Sequence, residues 1–281
     1  MSTDTGAAGP KRPGAQELLD LAAAVAAEAG AMLAGERAAG GVSVLETKSS
    51  PTDVVTAMDK ASEALITERI RAVRPRDGFF GEEGSAEPGS SGVRWIIDPI
   101  DGTVNYLYDQ PEWAVSVAAE VDGAVVAGAV NVVRRAELFT AVRGGGARLN
   151  GEPISVNPAP ELPQALVATG FAYAPELRAH QARLLTGVLS RVRDIRRGGS
   201  CAADLCSLAV GRVDAYYERG PHYWDWAAAG LIAAEAGARF GRVGGGEPGE
   251  DLTLLAAPPG LFEALSELLA PLEPDAPVQR A

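Results

Sequence analysis

The chain has 281 residues, 47% hydrophobic and 22% charged, enough for a substantial core in one large domain or two intimate halves. A net charge of −12 argues against nucleic acid as the main ligand. No apolar run is expected to span a membrane, and the polar, Gly/Pro-rich first residues lack the apolar centre of a secretion signal. Cys201 and Cys206 lie five apart on one predicted helix and point in different directions, so no internal disulfide is expected. Reduced thiols and a cytoplasmic location follow. Residues 1–14 and 273–281 are expected to be disordered tails.

A first helix is predicted over residues 15–35, with Leu18, Leu21, Val25, Ala29 and Met32 at helical spacing. Gly40-Gly41 breaks the chain, and Val42, Val44 and Leu45 suggest a short strand. It leads into the polar loop Thr47-Lys48-Ser49-Ser50-Pro51. Asp59 opens a second helix, where its charge suits the N-terminus; Ala61, Leu65 and Val73 are read as part of its apolar face. Pro75 ends that helix, and Gly78-Phe79-Phe80-Gly81 returns as a strand that delivers Glu82-Glu83. Residues 84–92 read as a surface loop.

The segment Trp95-Ile96-Ile97-Asp98-Pro99-Ile100-Asp101-Gly102-Thr103 organises the rest. It begins as a short buried strand and sets two carboxylates around a proline, which favours an extended Asp98. Asp101-Gly102-Thr103 reads as a turn into a helix whose free N–H groups can bind an anion. Hard oxygen ligands beside phosphate donors suit metal-assisted phosphate chemistry. Period-two alternation at Trp113, Val115 and Val117, with turns at Asp122-Gly123, Arg134-Arg135, Gly144-Gly145-Gly146 and Asn150-Gly151, predicts an antiparallel meander.

Residues 158–163, flanked by prolines, mark a boundary, giving halves of 15–157 and 158–272. The second half alternates strand and helix: 166–169, 176–189, 194–196, 200–210, 215–217 and 225–236, closed by 252–256 and 261–269. Gly199-Ser200-Cys201 precedes one helix, so its backbone N–H groups can face a ligand. Asp225, between Trp224 and Trp226, reads as the N-cap of another. Arg191, Arg193, Arg196 and Arg197 form a basic cluster.

Asp98-Pro99-Ile100-Asp101-Gly102-Thr103 resembles the signature of the inositol monophosphatase family. Lys48-Ser49-Ser50-Pro51-Thr52-Asp53, Thr56-Ala57-Met58-Asp59, Gly81-Glu82-Glu83, Gly199-Ser200-Cys201-Ala202 and Glu218 with Trp224-Asp225 agree in order, so the similarity runs from about Leu18 to Leu269. The resemblance implies a layered αβαβα sandwich of the sugar-phosphatase type, an α/β fold whose two halves share one core. It implies a Mg²⁺-dependent, lithium-inhibited phosphomonoesterase with two or three Mg²⁺ per site. One metal would use Glu82, Asp98 and the Ile100 carbonyl; another would use Asp98, Asp101 and Asp225. Glu83 would support Glu82. Thr103 and Glu82 would orient the attacking water, with Asp59 bonded to the Thr103 hydroxyl.

By the same resemblance, Gly102 and Thr103 N–H groups would hold the phosphate, and Asp101, Gly199, Ser200, Cys201, Glu218 and Asp225 would meet the substrate. Lys48 would lie on a flap over the metals. Where the family has Thr and Ala, this chain has Ser200 and Cys201, and the Cys201 thiol is expected to line the polyol pocket and to make the enzyme sensitive to thiol reagents. The four acids Glu82, Asp98, Asp101 and Asp225 need their cations before they can hold an anionic substrate. The preferred substrate is myo-inositol 1-phosphate; histidinol phosphate, fructose 1,6-bisphosphate and phosphoadenosine phosphate are the alternatives of related branches. A homodimer is implied. A binding role toward RNA or the transcription machinery through the Arg191–Arg197 region is the alternative from another class.

Overall fold

The computed structural model describes residues 14–40, 44–48, 54–249 and 251–278. The flap residues Ser49 to Asp53, most of the expected tail 1–14 and Val42 lie outside the described residues. Helix α1 (Ala15–Ala38) turns Leu18, Ala22, Val25, Ala29 and Leu33 inward, a stripe at helical spacing that is fully buried. By length and composition it could cross a membrane, contrary to the expectation from sequence; in the fold its apolar face packs on the first sheet.

The first half continues through β1 (Val44–Thr47), β2 (Val54–Thr56), α2 (Ala57–Val73), β3 (Gly78–Gly81), β4 (Ala86–Glu87), β5 (Val93–Asp101) and the short α3 (Thr103–Leu107). The predicted meander then follows as β6 (Ala114–Val121), β7 (Ala124–Val132), β8 (Glu137–Val142), β9 (Ala147–Leu149) and β10 (Glu152–Ile154). These strands, apart from the β1–β2 pair, build an eight-stranded sheet in the order β10-β9-β8-β7-β6-β5-β3-β4. The β3–β5 pairing is parallel and the others are antiparallel.

The second half comprises β11 (Leu166–Thr169), α4 (Pro175–Leu189), β12 (Asp194–Arg196), α5 (Cys201–Ala209), β13 (Ala215–Arg219), α6 (Tyr223–Glu235), β14 (Arg239–Arg242), β15 (Thr253–Ala257) and α7 (Pro259–Leu269). Its sheet runs β12-β11-β13-β15-β14. Strand β14 was not expected: Arg239-Phe240-Gly241-Arg242 offers no apolar run, and it pairs because it lies along β15.

Three apolar clusters define the layers. α1 and α2 cover one face of the large sheet around Trp95, Ile97 and Trp113. α5 and α6 fill the space between the sheets. α7, with Val188 of α4, covers the outer face of the small sheet. This is the αβαβα sandwich the resemblance implied. The middle layer is rich in alanine because small side chains let a helix approach sheets on both sides; Ala228, Ala229 and Ala233 of α6 are fully buried. Each fully buried aliphatic side chain, such as Ile97 in β5, contributes about 1.5–3 kcal/mol.

Two details differ from expectation. Of Ala61, Leu65 and Val73, only the half-buried Leu65 packs against the core: Val73 is 65% exposed, and the inward face of α2 carries Asp59, Ser62, Glu63, Ile66, Thr67 and Ile70. The C-terminal tail does not begin at Glu273. Arg219 donates to the carbonyls of Pro274 and Ala276, and Asp275 accepts from the Thr253 N–H and hydroxyl, so these residues are strapped to the end of β13 and the start of β15.

Candidate active site

The site forms where β5 leaves its sheet. In a regular strand Asp98 and Asp101, three apart, would point to opposite faces. The β5–β6 ladder is interrupted between the Asp98–Ser116 and Asp101–Ala114 pairs, where Pro99 has no N–H to offer. That irregularity brings both carboxylates to one side. The Asp98 Oδ1 accepts the Ile100 N–H at 3.0 Å, which holds the bulge. Gly102 follows with φ +92°; a Cβ there would lie 3.0 Å from the Glu112 carbonyl oxygen and 3.2 Å from that of Gly199. Only glycine satisfies both the turn and the close approach.

From the second half, α6 supplies Asp225. The helix begins at Tyr223 with His222 as its N-cap, so Asp225 is not the cap but the third helical residue. Its Oδ2 reaches back to accept the His222 N–H at 2.6 Å, the reciprocal half of a capping box. One carboxylate oxygen from each of Asp98, Asp101 and Asp225 lies within 4.8 Å of the others. Burial, then the charges of Glu82, Asp101 and Asp225, pushes Asp98 well above the carboxylate range. Burial, then the charges of Asp101 and Glu82, does the same to Asp225.

Asp101 is held by the start of α5. Its Oδ2 accepts from the Ser200 hydroxyl at 2.5 Å and the Ala202 N–H at 2.6 Å. Burial raises it to about 6, and the donors of Ser200, Ala202 and Cys201 limit the rise. The α5 N-terminus, expected to face substrate, is therefore committed to orienting Asp101, and Ser200 is 2% exposed. Gly199 shapes that approach, with its carbonyl against Gly102.

Glu82 stands beside the aspartates at the end of β3. Its Oε1 accepts from the Lys48 ammonium at 2.9 Å, and Glu83 Oε1 accepts from the same nitrogen at 2.6 Å. Burial raises Glu82 to about 7 against the pull of Lys48. Burial disfavours the Lys48 ammonium, but the two glutamates outweigh it and raise the lysine pKa.

Thr103 Oγ1 lies 3.0 Å from Asp59 Oδ1 and 3.1 Å from the Ile100 carbonyl oxygen; its single proton serves one of them. Asp59 also accepts from the Thr56 N–H and hydroxyl, so the same carboxylate caps α2 and reaches the site.

Glu218, at the end of β13, accepts from the Tyr216 hydroxyl at 3.0 Å and is raised by burial to about 7. Cys201 Sγ lies 3.1 Å from the same hydroxyl. The thiol is 7% exposed, and burial, then the charges of Asp101 and Glu218, raises its pKa well above that of a free thiol. Cys201 and Glu218 thus share the Tyr216 hydroxyl, and a buried thiol with a raised pKa is set against the reactivity expected from sequence. Cys206 is likewise buried and free.

Four residues with evident roles had no assignment from sequence: Ser62, Glu63, Asn105 and Tyr216. Asn105 donates to the carbonyls of Glu112 at 2.5 Å and Gly198 at 2.9 Å, tying α3 to the α5 loop. The signal for Ser62 and Glu63 was available: with Asp59 they occupy i, i+3 and i+4 of one helix face.

A sandwich that gathers acids from the large sheet and from a helix of its middle layer into one cation-ready cluster defines a layered α/β phosphatase of the metal-dependent kind. Residues 15–272 match the inositol monophosphatase family, a family of metal-dependent phosphatases, and the chain belongs to it. It is 45% identical over 274 residues to "Inositol-1-monophosphatase SuhB" of Mycobacterium tuberculosis, covering 91% of this chain and 93% of that protein. It is 43% identical over 193 residues to "Nus factor SuhB" of Haemophilus influenzae, covering 68% of this chain and 72% of that one. Among solved structures, the extragenic suppressor protein suhB of Bartonella henselae superposes with a TM-score of 0.85 at 32% identity, covering 90% of this chain and 98% of that one.

Proposed function

We propose that the chain is a Mg²⁺-dependent phosphomonoesterase that hydrolyses myo-inositol 1-phosphate to inositol and phosphate. The observation that carries this is the Asp98–Asp101–Asp225 cluster, whose oxygens converge within 4.8 Å. Every donor is a hard oxygen, and three acids that repel one another, two of them buried and Asp225 half-buried, call for a divalent cation. The group fits Mg²⁺ on those grounds. Glu82, Asp98, Asp101, Asp225 and the Ile100 carbonyl would hold it. When bound, Mg²⁺ supplies charge neutralisation on the phosphate and eases ionisation of water.

The remaining work falls to the chain. Asp59 fixes the Thr103 hydroxyl, which offers its oxygen to an attacking water on its free side. Glu82 is the carboxylate placed to help orient that water. The Gly102 and Thr103 N–H groups hold phosphate oxygens, and Glu218 accepts from substrate hydroxyls. Asp101 keeps its orientation through Ser200 and Ala202, so one helix N-terminus serves the site through a carboxylate.

The test is phosphate release from inositol 1-phosphate, histidinol phosphate, fructose 1,6-bisphosphate and phosphoadenosine phosphate, each with Mg²⁺, with EDTA and with added lithium. Preference for the inositol ester, lost in EDTA and reduced by lithium, is expected. Preference for another ester would move the substrate and keep the chemistry; no turnover by folded protein on any of them would overturn the assignment.

A second role is favoured by relatives named Nus factor. Arg191, Arg193, Arg196 and Arg197 are exposed and would form the contact surface. Binding to transcription components that survives in a catalytically dead Asp98→Asn variant would support it. The homodimer belongs to the same proposal, and sedimentation would test it.

A further inference from the structure

Helix α2 turns Asp59, Ser62 and Glu63 to one side, and all three are buried, at 1%, 0% and 4% exposure. Asp59 accepts from the Thr103 hydroxyl. Ser62 donates to the Pro99 carbonyl at 3.1 Å. Glu63 Oε2 accepts the Glu83 N–H at 2.8 Å, and its Oε1 accepts the Ser85 N–H at 2.9 Å. One helix face therefore grips both limbs of the site: the β5–α3 limb with Asp98, Asp101 and Thr103, and the turn after β3 with Glu82.

We infer that Glu63 is a positioning residue for the cation-binding site, a role that rests on the metal-dependent function proposed above. It touches neither substrate nor the three clustered aspartates. It clamps the turn that immediately follows Glu82, and so sets how far the Glu82 carboxylate stands from Asp98. The Glu82 N–H donates to the Ile97 carbonyl at 3.2 Å, which ties the other side of the same residue to β5. Glu82 is thus fixed from before and after, by β5 on one side and α2 on the other.

The chemistry of the clamp is specific to a carboxylate. Each Glu63 oxygen accepts one backbone N–H, and an amide of the same shape would set an NH₂ group against one of those donors. Space is reserved for it as well: a Cβ on Gly81 would lie 2.4 Å from Glu63 Oε2. Groups that orient a metal ligand from outside the ligand set change metal affinity by about 10–100-fold when altered.

The experiment is calorimetric titration of Mg²⁺, without substrate, into wild type, Glu63→Gln, Glu63→Asp and Thr67→Val. Thr67 is the control. It is 8% exposed, and its hydroxyl lies near the Glu63 and Ala64 carbonyls, away from the turn. Both Glu63 variants are expected to bind Mg²⁺ about 10–100-fold more weakly, with kcat at saturating Mg²⁺ returning to within a few-fold of wild type in Glu63→Asp. Thr67→Val is expected to melt at lower temperature with unchanged Mg²⁺ affinity. If Glu63→Gln does not fold, Glu63→Asp, which keeps the charge and withdraws it by one methylene, decides. Unchanged affinity in a folded Glu63 variant, or an equal loss in Thr67→Val, would overturn the inference alone. Wild-type protein that binds no Mg²⁺ would overturn the proposed function and the inference with it.

Discussion

Asp98, on β5, and Asp225, in the first turn of α6, bring carboxylate oxygens from the two halves of the chain to within 4.8 Å of one another. Each is held there by its own backbone: Asp98 by the Ile100 N–H and Asp225 by the His222 N–H. The pair is repulsive when both are ionised, and a cation resolves the repulsion. Asp98→Asn should therefore lower turnover by about 10²–10³-fold, the scale of losing one electrostatic stabiliser. In EDTA the same variant should melt no lower than wild type, because a charge conflict is gone. Steady-state kinetics with a paired melting curve tests both; near-normal turnover would refute the central role of Asp98.

Stability in EDTA should depend on pH in an unusual direction. Burial raises Glu82 and Glu218 from 4.5 to about 7, and Asp101 from 3.8 to about 6. Between each pair of values the folded chain binds more protons than the unfolded chain. The stability these groups contribute is complete below the unfolded pKa and is lost as pH rises through the folded one. Melting temperature in EDTA should fall from about pH 4.5 to about 7. Added Mg²⁺ should flatten the fall, because metal takes the place of protons on the same oxygens. A rise over that window in EDTA would show that these acids are not held protonated by burial.

Thr103 separates a structural from a catalytic effect. Thr103→Ser keeps the oxygen that meets Asp59 and should stay within a few-fold of wild-type turnover. Thr103→Val keeps the shape and loses the oxygen, so turnover should drop by about 10²-fold or more, the scale of a positioned proton-transfer partner. It should also lose about 1–3 kcal/mol of stability, since Asp59 Oδ1 is left without its side-chain donor. Denaturant titration beside kinetics distinguishes the two losses. α2 should stay capped through Thr56 in both variants.

Cys201 should be slow to react. A thiol that is 7% exposed, with its pKa raised by burial, carries little thiolate. A disulfide reagent should label the native protein far more slowly than the unfolded one, and Cys201→Ala should keep turnover within a few-fold. Rapid labelling with parallel loss of activity, prevented by substrate, would restore the open-pocket expectation.

Much of the architecture was legible in the chain. The alternation after Trp113 and its turn residues announced the meander, and the predicted spans 166–169 and 194–196 coincide with β11 and β12. α2 was harder. Four of its six buried residues are polar, because it turns toward the site as well as the core, and of the apolar positions read from the sequence only Leu65 meets the core. Ser62 and Glu63 were missed for the same reason. Asp225 was placed three positions too early in its helix because capping-box carboxylates and N-cap carboxylates belong to the same residue type; only the backbone shows which N–H is served.

By itself the sequence determined the chemistry available: a strand ending in two acids around a proline, an anion-ready turn, and further acids at the ends of β3 and β13 and the start of α6. Those are local matters, settled by proline, glycine and side-chain alternation over a few residues. The tertiary structure decided which acids meet. The β5 irregularity puts Asp98 and Asp101 on one side, and the packing of α6 between two sheets adds Asp225. It also assigned the α5 N-terminus to Asp101 and a buried face of α2 to the turn after Glu82. Such pairings depend on contacts between distant segments, made only when apolar layers close, and no local pattern encodes them.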